Sequence, residues 1–123
     1  MTAVNSLKGR LAEKAVAGFL QEKGYEICAA NYLVPGLGEL DLVARCGSQL
    51  TVIEVKARNR ADQYGGLPSS ITPQKLRRMR NTALCYLKEN HFMNLDVSFL
   101  AALVKIDHLG VVESIELVPI ECL

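Results

Sequence analysis

The chain has 123 residues, a length that fits one domain spanning residues 1–123. Lys and Arg number 14 against 13 Asp and Glu, a formal net charge of +1, so any nucleic-acid-binding surface must come from clustering of basic residues and not from the total charge. The start of the chain does not resemble a signal peptide, and no apolar run approaches the ~20 residues that cross a bilayer, so we expect a cytoplasmic protein without a membrane partner.

The hydrophobic pattern predicts two helices and five strands, separated by Gly, Pro and polar turn signals. In chain order these are a helix at 5–23, strands at 25–33, 39–45 and 50–57, a helix at 73–90, and strands at 95–105 and 111–120. Asn5 or Ser6 is expected to cap the first helix and Gly24 to end it, while Thr72 and Pro73 are expected to begin the second. The order α-β-β-β-α-β-β predicts an α/β fold in which three strands form an antiparallel meander. The second helix then crosses over and returns a strand to the same sheet, and the helices pack against that sheet.

The second and third strands are predicted to form a hairpin, because Gly47 and Ser48 suit a two-residue turn. That turn sets the register, which pairs Val43 with Val52 and places Asp41 opposite Glu54. The same register places Glu39 opposite Lys56.

Strand alternation divides this hairpin into two faces. One is expected to be a core face, made of Leu40, Leu42, Ala44, Ile53 and Val55. The other carries the charged residues, namely Glu39, Asp41, Glu54 and Lys56, together with Val43 and Val52.

Opposed carboxylates repel each other, so Asp41 and Glu54 destabilise the hairpin unless they share a cation. Mg²⁺ takes oxygen ligands and commonly uses one or two carboxylates together with substrate phosphate, and the carbonyl of Val55 could be a further ligand. Lys56 follows two residues after Glu54 on the same face, where it could position or deprotonate the attacking water, or stabilise transition-state charge. The alternative is a solvated sheet face with cross-strand salt bridges, and the spacing alone does not decide between the two.

Several segments carry a further signal. They are Gly9…Glu13 in the first helix, Gly38-Glu39-Leu40-Asp41-Leu42-Val43, Val52-Ile53-Glu54-Val55-Lys56-Ala57-Arg58, Tyr64-Gly65 and Thr72-Pro73-Gln74-Lys75. Together they resemble the bacterial YraN-like protein family, over about residues 9–97. The resemblance implies a restriction-endonuclease-like mixed sheet, similar to archaeal Holliday junction resolvases and to the wider PD-(D/E)xK nuclease superfamily. It also implies Asp41, Glu54 and Lys56 as the catalytic core, with Glu13 as an auxiliary acid. From its position in the helix alone, Glu13 could equally be a surface glutamate.

Basic residues cluster near this predicted centre and form a candidate phosphate-binding surface. They are Arg58 and Arg60 after the hairpin and Lys75, Arg77, Arg78 and Arg80 on the second helix. Tyr64, in the polar segment between them, could stack on a base. The alternatives are a solvated helix face and a packed loop tyrosine.

Three functions remain open from the sequence. The leading hypothesis is an endonuclease that hydrolyses DNA phosphodiester bonds with Mg²⁺ or Mn²⁺, acting on branched or flap DNA. The second is a nucleic-acid-binding module of the same fold with weak or no catalysis, and the third is an adaptor that binds no nucleic acid. A monomer and a dimer are both compatible with the sequence.

Overall fold

The computed structural model describes residues 7–58 and 70–120, and within them the elements follow the predicted order. Their bounds are α1 Leu7–Glu22, β1 Glu26–Val34, β2 Gly38–Cys46, β3 Gln49–Arg58, α2 Pro73–Glu89, β4 Asp96–Ile106 and β5 Val112–Pro119. The expected cap at Asn5 or Ser6 lies outside the described residues, as do Arg60 and Tyr64. None of the described helices is long and apolar enough to cross a membrane.

The five strands form one mixed sheet in the order β1-β2-β3-β4-β5. Neighbouring strands are antiparallel except β3 and β4, which are parallel and are joined through α2. The predicted α/β fold is therefore confirmed, including the meander and the helical crossover that parallel strands require.

Local signals set the helix ends as expected. Gly24 has φ +96°, and the N–H groups of Gly24 and Tyr25 donate to the carbonyls of Gln21 and Leu20, each at 3.0 Å, which is a Schellman ending. At the start of α2, the hydroxyl of Thr72 accepts the N–H of Lys75 at 3.1 Å.

Each face of the sheet is covered by one helix, so there are two hydrophobic cores. Helix α1 packs with a cluster of buried residues made of Ala12, Val16, Leu20, Leu42, Ala44, Ile53, Ala102, Val104 and Ile106. Helix α2 packs with a second cluster that includes Leu40, Val43, Val52, Leu76, Met79, Ala83 and Leu103. Because β3 is covered on both sides, side chains on either of its faces can be removed from water.

This arrangement corrects the expected faces of the hairpin. Leu40 was expected to share a face with Leu42 and Ala44, but it packs on the α2 side while they pack on the α1 side. The strict alternation of β2 is therefore broken next to Asp41. Across from this break, on the neighbouring strand β1, Asn31 has a left-handed backbone with φ +54°. The face carrying Val43 and Val52 is likewise a second core.

Candidate active site

Strands β2 and β3 separate at the residues predicted to carry the chemistry. Their paired residues follow the predicted register from Cys46–Gln49 to Leu42–Ile53, and the ladder ends there. The Oδ2 atom of Asp41 then accepts the main-chain N–H of Val55 at 2.9 Å. The expected pairs Asp41–Glu54 and Glu39–Lys56 are therefore not part of the ladder. Beyond the last pair of the ladder, the N–H group of Val55 on β3 donates to the side chain of Asp41.

An open pocket of about 850 Å³ lies where the strands separate, between α1 and α2. The four residues proposed as catalytic from the sequence, Glu13, Asp41, Glu54 and Lys56, all line it, and so do Val55 and Lys75. Four elements supply these groups, because Glu13 comes from α1, Asp41 from β2 and Lys75 from α2, while the others lie on β3. The sequence thus identified a set of residues that the fold brings together.

The carboxylates of Asp41 and Glu54 are both buried. Asp41 is 7% exposed and Glu54 is 6% exposed, which is not the solvated face considered as an alternative. Burial, and next to it the negative charge of Glu54, raises the pKa of Asp41 to about 7, against the opposing effect of the Val55 N–H. The ionised form of Asp41 is therefore unfavourable in free energy at this position, and carboxyl groups perturbed in this way are typical of functional sites.

Two lysines approach the same oxygen of Glu54. The Nζ of Lys75 lies 2.7 Å from Glu54 Oε2, and the Nζ of Lys56 lies 3.7 Å from it. Burial alone would lower the pKa of Lys75, but the hydrogen bond and the charge of Glu54 outweigh it, so this pKa is raised. Lys75 therefore stays protonated and belongs to the centre of the site, although its position in the sequence suggested the surrounding basic surface.

Glu13 faces the same pocket, and its carboxylate is held by Asn31. The Nδ2 atom of Asn31 donates to Glu13 Oε1 at 3.2 Å. Burial raises the pKa of Glu13, the hydrogen bond from Asn31 opposes this shift, and the charges of Glu39 and Glu54 add to it. Sequence reasoning did not identify Asn31; its one signal is that Asn tolerates a left-handed backbone in a strand that otherwise reads as regular.

The predicted basic residues that the structure describes divide into three groups. Lys75 lines the pocket, as does Arg78 from the next turn of α2, whereas Arg77 and Arg80 are exposed and are not among the lining residues. Arg58 is buried, and its guanidinium lies 3.6 Å from the carboxylate of Glu116 on β5. Of the members of this set that the structure describes, Lys75 and Arg78 therefore lie at the site.

The metal-binding capacity of the site follows from its donors. Within residues 7–58 and 70–120, no three Asp, Glu, His or Cys side chains lie close enough to hold a metal ion by themselves. Any ion bound between Asp41 and Glu54 would therefore need main-chain, water or substrate oxygens to complete its coordination.

Comparison with known proteins identifies the family to which the chain belongs. A model of the uncharacterised protein family UPF0102 matches residues 12–111. The chain belongs to UPF0102. This membership confirms the resemblance to the YraN-like family that the motifs indicated.

UPF0102 proteins from several bacteria are similar to this chain. The UPF0102 protein of Desulfosudis oleivorans is 43% identical over 81 residues, which are 66% of this chain and 64% of that protein. The UPF0102 protein of Pelotomaculum thermopropionicum is 43% identical over 72% of each chain. A UPF0102 protein of Neisseria meningitidis serogroup C is 32% identical over 83% of this chain and 87% of its own. A solved structure of a protein of unknown function, AF1548, has 22% identity and a TM-score of 0.47, covering 77% of this chain and 47% of that one.

Proposed function

We propose that this UPF0102 protein is a divalent-metal-dependent endonuclease that hydrolyses phosphodiester bonds of DNA. The observation that carries the proposal is the convergence of Asp41, Glu54 and Lys56 on one open pocket, where two paired strands separate. The resemblance to the YraN-like family, whose fold is similar to that of archaeal Holliday junction resolvases, supports branched or flap DNA as the substrate. A DNA substrate also fits the cytoplasmic location expected from the sequence.

The donors of the pocket fit a hard cation. Asp41 and Glu54 offer carboxylate oxygens, and the main-chain carbonyl of Val55 would be a further ligand, a set that suits Mg²⁺ or Mn²⁺. Mg²⁺ usually keeps several waters and uses only one or two carboxylates, so the two buried acids are sufficient. When bound, such an ion lowers the pKa of a coordinated water and polarises the phosphate.

The protein's own groups would handle the charge of the reaction. Water adds to phosphorus as the bond from phosphorus to one sugar oxygen breaks, which concentrates negative charge on the phosphate oxygens. The ammonium of Lys56, 3.7 Å from Glu54, would stabilise that charge or orient the water. Lys75, which reaches the same carboxylate from α2, would hold the substrate phosphate.

A second function is favoured by one specific contact. The ammonium of Lys75 lies 2.7 Å from Glu54 and neutralises a carboxylate that catalysis would assign to the metal. If that ion pair persists in every state, the pocket binds phosphate without cleaving it. The protein is then a nucleic-acid-binding module of the same fold.

A cleavage screen separates these functions. The protein would be incubated with single-stranded, duplex, flap and four-way DNA, each with Mg²⁺, with Mn²⁺ and with chelator. Glu54→Ala and Lys56→Ala should each abolish metal-dependent cleavage while circular dichroism shows an intact fold. Lys14→Ala, which changes an exposed lysine of α1, is the matched control and should cleave normally.

The outcomes differ between the candidates. Cleavage that is lost in both variants and kept in the control supports the nuclease. Salt-sensitive DNA binding without cleavage by the parent protein favours the binding module. Cleavage that survives in both variants excludes this pocket as the active site.

A further inference from the structure

The middle of β1 contains a backbone conformation that strands do not normally adopt. Asn31 lies within Glu26–Val34 and has φ +54°, in the left-handed region. Such conformations cost free energy for any residue with a side chain, Asn tolerates them better than most, and they tend to occur at functional sites.

The position of this residue in the sheet relates it to the candidate active site. The register of β1 and β2 pairs Ala30 with Leu42 and Tyr32 with Leu40, so Asn31 faces Asp41 between them. Tyr32 and Leu40 both pack on the α2 side, and alternation is broken in both strands at this step. The irregular residue of β1, Asn31, therefore lies across from Asp41, the residue of β2 whose carboxylate is directed toward β3.

The side chain of Asn31 has its own partner in the pocket. Its amide donates to Glu13 Oε1 at 3.2 Å, and Glu13 lines the pocket together with Glu39, Asp41 and Glu54. A glutamate on a helix has several accessible rotamers, and repulsion from three other acids would favour those that point away. A neutral amide donor holds the carboxylate inward without competing for the ion between Asp41 and Glu54.

We propose that Asn31 is a positioning residue whose left-handed backbone aims its amide at Glu13 and holds that carboxylate at the pocket. The catalytic consequence rests on the proposed nuclease function, whereas the positioning itself does not. If an ion binds between Asp41 and Glu54, Glu13 would act from outside its direct ligands by helping to orient a coordinated water. Groups of that kind commonly contribute about 10- to 100-fold to metal affinity or activity.

Two substitutions separate the backbone role from the side-chain role. Asn31→Gly keeps the left-handed conformation at no steric cost and removes the amide, so thermal stability in chelator should equal or exceed that of the parent. Asn31→Ala removes the amide and also strains the backbone, so it should melt lower. Both substitutions should weaken the rise in melting temperature that Mn²⁺ produces. The Mn²⁺ concentration that gives half of this rise should increase about tenfold.

Glu13→Gln tests whether the two residues act together. It should weaken the Mn²⁺ response as Asn31→Gly does. The double variant, with both Glu13→Gln and Asn31→Gly, should respond to Mn²⁺ as strongly as either single variant, because each substitution already removes the contact between the two side chains. Glu22→Gln, at the exposed end of α1, is the control and should leave the response unchanged.

A measurement on the metal-free protein decides the positioning independently of catalysis. The side-chain amide signals of Asn31 in a ¹⁵N–¹H spectrum should move in Glu13→Gln and stay in place in Glu22→Gln. Unmoved signals overturn the proposal, and so does an Asn31→Gly variant that equals the parent in its Mn²⁺ response and in any cleavage. A parent protein that neither responds to Mn²⁺ nor cleaves DNA refutes the proposed function, and the amide signals then decide the positioning alone.

Discussion

The Nζ atom of Lys75, in the first turn of α2, lies 2.7 Å from the Oε2 atom of Glu54 on β3. The Thr72 cap fixes the backbone of Lys75, so the start of the helix and the central strand are joined through one ion pair. The side chain of Glu54 is only 8% exposed, whereas that of Lys75 is 37% exposed. The buried carboxylate of Glu54 is therefore stabilised by an ammonium group, that of Lys75, which is itself partly exposed to water.

Replacing Lys75 should destabilise the metal-free protein. Lys75→Met keeps most of the side-chain volume but leaves Glu54 with Lys56 alone, and we expect a loss of about 1–2 kcal/mol. That is less than for a fully buried pair, because water screens the exposed ammonium. Chemical denaturation in chelator measures it, with Arg77→Met on the exposed side of α2 as control. Equal effects of the two substitutions would show that the ion pair contributes nothing.

The raised pKa of Asp41 predicts how stability depends on pH. Its carboxyl has a pKa of about 7 in the folded chain against 3.8 for the ordinary group, so between these values the folded state binds more protons than the unfolded state. The free energy of unfolding should therefore fall as pH rises from about 4 to about 7 and level off above, by a few kcal/mol at most.

Asp41→Asn is the substitution that checks this pH dependence. The amide oxygen can still accept the Val55 N–H, so the variant should melt higher than the parent at pH 8 in chelator, with a flatter profile from pH 5 to 8. Asp96→Asn, at an exposed position, should leave the profile unchanged. An unaltered slope in Asp41→Asn would mean that another group causes it.

Packing next to the site makes a third prediction, which concerns two glycines. A Cβ atom on Gly38 would lie 2.7 Å from the hydroxyl of Thr82, a buried and β-branched residue that cannot move away easily. Gly38→Ala should lower the free energy of unfolding by about 1–3 kcal/mol, the range for overpacking. Thr82→Ala should relieve part of this loss.

Gly18 is the matched control for that substitution. An added Cβ there meets nothing within 4 Å, and the residue lies within α1, so Gly18→Ala should stabilise the protein by roughly 0.5–1 kcal/mol through helix propensity. Denaturant midpoints of the two alanine variants should move in opposite directions. A stable Gly38→Ala variant would contradict the close approach of β2 to α2.

The fold could be predicted because its signals are local. The turn at Gly47 and Ser48, the cap at Thr72 and the stop at Gly24 each depend on a few neighbouring residues, and the structure contains all three. The candidate site could be predicted in part from strand alternation, which brings Glu54 and Lys56 to one side of β3.

The details that could not be predicted depend on contacts between distant segments. Alternation cannot foresee the left-handed backbone of Asn31, which goes with Leu40 lying on the other face of the sheet from Leu42. The reach of Lys75 to Glu54 depends on how α2 crosses the sheet. Arg58 is buried beside β5, a neighbour that the sequence pattern alone could not place.

The last prediction distinguishes two arginines of α2 by their position on the helix. Arg78 follows Lys75 by three residues, which places both on the same side of α2, and it lines the pocket. Arg80 is exposed and is not a lining residue.

If DNA enters the pocket, Arg78→Ala should weaken binding to all sequences and reduce the slope of log K against log salt by about 0.9, the value for one lost phosphate contact on duplex DNA. Arg80→Ala should leave the slope unchanged, although the sequence alone assigned that residue to the binding surface. Fluorescence anisotropy with labelled duplex and four-way DNA between 50 and 200 mM salt, a range in which such contacts dominate affinity, measures both slopes. Equal changes in the two variants would mean that DNA lies along the exposed side of α2, and its path over the protein would then not lead to Asp41 and Glu54.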